Sequence, residues 1–228
     1  MNTLYSLLNR VVLTWIVAGY LVVAQGAGVL LEPYLGLEKG SWSTSYESST
    51  ASYDFITGGT FDFGVGFRTI IPFDHIFFGL DYYKGMSSFE YSEASGTTLD
   101  DSWQDVKADK TSIGLHFGAK NLSGKYAFWA SYLLSDTLTL KQSHIPGDGA
   151  ITYSGSGIQL GIGLQFRKYM RLNLLYSIHS YSERTQSGTT TELPGSSGGV
   201  TYQKYSHSSF FVGLSVPIFW KWWTTVPF

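Results

Sequence analysis

No cysteine occurs among the 228 residues, which excludes disulfide scaffolding, thiolate metal sites and acylation at a cysteine. Charge is scarce: Asp, Glu, Lys and Arg make up only 14% of the chain, well below an average soluble domain. The formal net charge of -2 leaves no broad basic surface, so nucleic acid is not an expected partner. Long apolar runs are missing beyond the N-terminal region, and the mean hydropathy of +0.01 is too low for a bundle of transmembrane helices. Glycine (26 residues) and aromatic side chains (17%) are abundant instead, a combination that points to a β-protein in lipid.

The one apolar run follows Arg10 and extends from Val11 to Ala24, ending in the small-residue stretch Gln25, Gly26, Ala27 and Gly28. A positive flank, an apolar stretch of about 14 residues and small residues at Ala24 and Gly26 predict a signal peptide over residues 1–26, cleaved before Ala27. The alternative, a retained anchor, requires a longer span.

From Gly28 onward the chain alternates with period two, which reads as strand. Ile158, Leu160, Ile162, Leu164 and Phe166 share one face, opposite Gln159, Gly161, Gly163, Gln165 and Arg167. Phe61, Phe63, Val65 and Phe67 stand against Asp62, Gly64, Gly66 and Arg68, and Ile113, Leu115 and Phe117 against Gly114, His116 and Gly118. Leu172, Leu174, Tyr176 and Ile178 oppose Arg171, Asn173, Ser177 and His179. Further segments run through Val29–Glu38, Ile76–Tyr82, Phe128–Leu134 and Phe210–Ile218, so eight strands are expected.

Alternation alone does not say which face meets the solvent. Connection lengths do. Long stretches near 40–58, 85–107, 137–154 and 182–205 alternate with short turns at Pro72–Asp74, Asn121–Gly124 and Lys168–Met170. An exported up-and-down barrel with both ends on the periplasmic side has this rhythm of short turns and long extracellular loops. The fold class is therefore all-β: a transmembrane antiparallel barrel over residues 27–228, closed because lipid offers no partners to a free strand edge. Trp220, Trp222 and Trp223 near the C-terminus, with Tyr82, Tyr83, Phe89 and Tyr91 at the other rim, are read as two aromatic girdles.

Segments such as GVLLEPYLGLEKG (Gly28–Gly40), TFDFGVGFR (Thr60–Arg68) and GIQLGIGLQFR (Gly157–Arg167) resemble the small eight-stranded outer-membrane barrels of the OmpA transmembrane-domain and OmpX kind, with OmpW as a cousin. The resemblance implies an outer-membrane location in a Gram-negative envelope, with lipid and lipopolysaccharide around the barrel and insertion by the barrel-assembly machinery. That machinery reads a terminal aromatic residue, and this chain ends in Phe228; Thr224, Thr225 and Pro227 break the alternation, so the last strand is expected to stop near Phe219. No peptidoglycan-binding domain is expected, since the chain ends shortly after that strand.

An eight-stranded barrel is just wide enough for side chains to fill. By parity the lumen receives Glu32, Glu38, Asp62, Arg68, Asp81, His116, Gln159, Gln165, Arg167, Arg171 and His179, read as an internal network of paired charges, with a gated ion path as the alternative. Inward glycines are expected to make room for larger neighbours. The run Tyr176 to Glu183 resembles the His and Ser of PagL-type lipid A deacylases, but that family's residues stand two apart on the lipid face. Here position 181 is Tyr, and Ser180 and Ser182 fall one and three residues from His179, on the opposite strand face. No catalytic residue, cofactor or metal site is therefore expected, the histidines being scattered in sequence. The reading is a monomeric, non-enzymatic barrel serving envelope integrity or surface contact; the alternatives are a narrow channel for ions or small apolar molecules and, last, a lipid A-modifying enzyme. The Ser-, Thr- and Tyr-rich loops suit either a solvated surface or adhesive recognition.

Overall fold

A computed structural model describes residues 28–48, 52–94, 106–141, 150–197, 199–203 and 205–220. Seven long strands follow one another: β1 (Val29–Ser48), β2 (Ser52–Phe73), β3 (Ile76–Ala94), β4 (Val106–Lys120), β5 (Tyr126–Leu140), β6 (Ile151–Arg167) and β7 (Met170–Gln186). Three short strands, β8 (Thr189–Glu192), β9 (Gly195–Ser197) and β10 (Val200–Tyr202), precede β11 (Tyr205–Ser215) and β12 (Ile218–Trp220), which together form the eighth stave.

Each long strand pairs antiparallel with its neighbour in sequence, and the eighth stave returns to β1, from Ser43 opposite Ser206 to Val29 opposite Trp220. The sheet is a closed eight-stranded meander without a free edge in the wall. The eighth stave is split because Pro217 has no N–H to donate. Pro33 of β1 falls in the same interruption, where only the Val216 N–H reaches the Pro33 carbonyl, at 3.0 Å. The two prolines thus share one gap in the ladder.

Side chains alternate across the wall as the period-two pattern requires. The apolar residues face out: Leu35, Leu37, Phe61, Phe63, Ile113, Phe117, Ile158, Leu160, Leu174, Ile178, Phe210 and Val212 are all exposed. This belt ends abruptly toward the long-loop end, where the outward positions become Ser and Thr. Across β1 and β11 the outward hydroxyls of Ser41 and Ser208 pair at 3.2 Å, and those of Ser43 and Ser206 at 2.9 Å.

The strands run well past the belt. Much of the stretches expected as loops near 40–58 and 85–107 is strand, since β1 continues to Ser48, β2 begins at Ser52 and β3 ends at Ala94. The stretch near 182–205 likewise holds the end of β7 and the strands β8, β9 and β10, with β8 folding back on β7 and β10 extending the edge of β1. Above the belt the outward face turns polar and the apolar side chains lie inside, so the outward apolar signal fades while the hydrogen-bond ladder continues. The short-turn end follows the expected positions: Asp74 sits at φ 48 and Gly124 at φ 68, left-handed conformations that reverse the chain tightly. The signal-peptide segment 1–26, Trp222, Trp223 and Phe228 lie outside the described residues.

Candidate functional site

The inside of the barrel is polar and layered. Nearest the short turns, β1 and β2 place Glu32 and Arg68 opposite each other, β3 adds Asp81 opposite Arg68, and β7 adds Arg171. The Arg68 Nε donates to Asp81 Oδ2 at 3.1 Å, and its Nη1 stands 3.7 Å from Glu32 Oε1. Arg171 donates to Glu32 Oε2 at 2.8 Å, the Ser215 hydroxyl donates to Glu32 Oε1 at 2.5 Å, and the Tyr34 hydroxyl donates to Asp81 Oδ1 at 2.7 Å. Two carboxylates face two guanidinium groups, so this layer is formally neutral. The Arg68 guanidinium also lies 4.2 Å from the Tyr34 ring centroid and 4.7 Å from that of Trp129, which supplies its faces with aromatic contact.

Aromatic rings fill what the ion pairs leave. Tyr34, Phe77, Tyr83, Trp129 and Phe211 form one buried cluster with Ile70, Ala127 and Leu175. The rings fit because inward glycines stand beside them: a Cβ on Gly66 would come within 2.0 Å of the Tyr34 ring, and one on Gly161 within 2.1 Å of Trp129. His116 packs between Phe77 and Trp129, its Nδ1 3.0 Å from the Ser131 hydroxyl.

A second polar layer sits at the level where the outward belt ends. The Lys110 ammonium donates to Glu38 Oε1 at 2.6 Å and contacts His179 Nε2 at 3.1 Å. His179 Nδ1 lies 2.7 Å from Asp136 Oδ2, and the Ser112 hydroxyl donates to Asp136 Oδ1 at 2.5 Å. His207 stacks on His179 at 5.1 Å and shares a hydrogen bond with Thr60 at 3.1 Å. Asp62, directly across from Glu38, is fully buried.

Above this layer, past the belt, Trp42, Tyr153, Tyr181 and Tyr205 close the lumen. Tyr205 stacks on Tyr153 at 4.4 Å and on Trp42 at 5.7 Å, and meets Tyr181 edge-on at 5.3 Å. Burial pushes the Tyr153 phenol up to about 12 even against the pull of the Arg184 guanidinium, so it remains a neutral plug at any ordinary pH.

Of the residues singled out in the sequence, Glu32, Glu38, Asp62, Arg68, Asp81, His116, Gln159, Arg171 and His179 are buried on the inner wall. Gln165 and Arg167 are not in the lumen. An irregularity between them at the β6–β7 turn upsets the alternation, leaving Arg167 exposed and turning the Gln165 amide to donate to the Lys168 carbonyl at 3.0 Å. Tyr83 is a second correction: it lies inside, 5% exposed and stacked on Tyr34, whereas Tyr82 faces out at 43%. Adjacent strand residues cannot share a face, so the pair cannot both belong to a girdle. Trp220 ends β12 opposite Val29.

Sequence reasoning missed Lys110, Asp136 and His207, which complete the upper layer. Asp136 was hidden by a bulge in β5 between Leu133 and Asp136 that reverses the alternation. Lys110 and His207 lie just beyond the apolar stretches by which the strands were recognised. The serines flanking His179 contribute no partner to its ring: Ser180 and Ser182 are exposed outside while His179 is fully buried inside, bonded to Asp136 and Lys110.

The chain matches no protein family and no curated protein at the level of sequence. Among solved structures it is similar to the Neisserial surface protein A, at 12% identity over 81% of this chain and 96% of that one, with a TM-score of 0.42. It is similar to the outer-membrane protein OprG from Pseudomonas aeruginosa, at 12% identity over 85% and 97% of the two chains and a TM-score of 0.48. Ail, the attachment invasion locus protein of Yersinia pestis, gives 8% identity over 84% and 99%, with a TM-score of 0.41. These are likenesses of barrel to barrel, and they say nothing of what this chain does.

Proposed function

We propose that the chain is a monomeric outer-membrane barrel whose lumen is plugged by its own side chains, acting as a structural or surface-contact element and not as an enzyme or an open pore. The observation that carries this reading is the position of Arg68. Buried to 1% exposure, it is tied to Glu32 and Asp81 on the neighbouring strands and reaches across to the Trp129 ring of β5 at 4.7 Å, so the narrow lumen is crossed by a fixed cation. Lys110 of β4 on Glu38 of β1 bridges the lumen at the upper level, and Arg171 of β7 reaches over the eighth stave to Glu32 of β1 at the lower one.

The outward surface suits a bilayer. On the eighth stave the apolar positions run from Phe210 to Ile218, in keeping with the roughly 9–11 residues that a tilted membrane strand needs. Lipid and lipopolysaccharide would surround this belt, the barrel-assembly machinery would insert it, the termini would be periplasmic, and the Ser- and Tyr-rich extensions would face the medium.

Heat-modifiability tests the reading: the outer-membrane fraction is run on cold SDS gels with and without boiling. A folded band that shifts on boiling is expected. A chain that stays in the soluble fraction, or shows no shift, would overturn the proposal.

A further inference from the structure

The upper layer contains more than a plug needs. Glu38, His179 and His207, from β1, β7 and β11, bring one ligand atom each to within 4.8 Å of one another, and all three side chains are buried. Two imidazoles and a carboxylate are the ligand set of many zinc sites.

Three further observations bear on a ligand. First, His179 has the outer support typical of a metal-bound imidazole: its Nδ1 is held by Asp136, itself fixed by Ser112, which leaves Nε2 facing Glu38 and Lys110. Second, His207 engages Thr60 through Nε2, while its buried Nδ1 has no hydrogen-bond partner. Third, Asp62 is completely buried, and its carboxylate faces the Ser87 hydroxyl on β3 without an ion-pair partner. Buried polar groups are left without partners only rarely, and each instance calls for an explanation.

Charge points the same way. Among the described residues of this layer, Glu38, Asp62 and Asp136 share one permanent cation, Lys110, so carboxylates outnumber permanent cations. The lower layer, by contrast, balances two against two. A divalent cation would offset the surplus of carboxylates above as the two arginines do below. In the present arrangement the Lys110 ammonium occupies the point shared by Glu38 and His179 Nε2.

We infer that this cluster is a binding site for a divalent transition-metal ion of the zinc class, held by Glu38, His179 and His207, with Lys110 moving from Glu38 to Asp62 when the ion enters. Imidazole nitrogen favours Zn²⁺, Co²⁺, Ni²⁺ or Cu²⁺ over Ca²⁺ and Mg²⁺, which take oxygen ligands. The ion would tie β1 to β7 and β11 across the closure of the barrel. Because the aromatic plug covers the cluster from above, loading belongs to folding.

The test is to refold the full untagged chain from urea into detergent micelles with Co²⁺ or Zn²⁺ present, desalt it, and measure retained metal together with the visible absorption of Co²⁺. About one ion per folded chain is expected, with the intense bands of a four-coordinate site. Glu38→Gln and His207→Ala should each weaken retention at least tenfold, and Asp136→Asn, which touches only the support of His179, by about tenfold or more. Lys110→Met, which removes the internal competitor, should bind more tightly. Folding of every variant is checked by its gel shift. Two results would overturn the inference: wild-type chain that retains no metal, whatever Lys110→Met does, or metal retained equally by the His179→Ala/His207→Ala double variant.

Discussion

Arg68 donates through Nε to Asp81 Oδ2 at 3.1 Å across the β2–β3 pair, and the same carboxylate accepts the Tyr34 hydroxyl through its other oxygen at 2.7 Å. One buried carboxylate thereby fixes a cation and a phenol that come from different strands. The geometry makes Asp81 the hinge of the lower layer.

Removing that carboxylate leaves two buried guanidinium groups sharing Glu32 alone. Asp81→Ala should cost about 3–5 kcal/mol in urea unfolding of the barrel in vesicles, because an uncompensated buried charge is worse than none. Replacing both partners, as Arg68→Met with Asp81→Leu, should recover much of the loss, giving a coupling of about 1 kcal/mol or more in the double-mutant cycle. An Asp81→Ala chain as stable as the parent would contradict the ion-pair account.

The inward glycines make a separate prediction. Gly161→Ala places a methyl 2.1 Å from Trp129 and should destabilise the barrel by about 1–3 kcal/mol through overpacking. Gly59→Ala meets nothing within 4 Å and should be near neutral in the same unfolding assay. Equal effects at the two positions would remove the packing role assigned to Gly161.

The belt makes a third. Leu160 is 56% exposed within the outward apolar band, whereas Ser180 is exposed beyond its edge. Arginine at Leu160 should cost about 2–4 kcal/mol for folding into a bilayer, and at Ser180 about 0–1 kcal/mol, since the penalty depends on depth. In detergent-free buffer the difference has no reason to appear. A bilayer measurement with the two variants alike would mean that the belt does not face lipid.

The faces of the wall were legible in the sequence because period two is imposed by the pleat itself: Ile158 to Phe166 and Phe61 to Phe67 alternate in the structure as they do on paper. Legibility failed wherever the count slipped by one. The bulge before Asp136 and the irregularity between Gln165 and Arg167 each reversed the parity, hiding one lumen carboxylate and adding one false lumen cation. Beyond the belt the outward residues are Ser and Thr, so strand continued where apolar contrast had ceased, and Lys110 and His207 went unrecognised with it. The convergence of Glu38, His179 and His207 is a property of barrel closure, which joins β1 to β11, and sequence spacing carries no trace of it.

Conductance in planar bilayers tests the plugged lumen most directly. The full chain, shown to be folded by its gel shift, is incorporated at single-channel dilution and held under voltage in simple salt. A lumen crossed by Arg68, Arg171 and Lys110 in fixed ion pairs predicts an electrically silent membrane, and steady single-channel openings would contradict it.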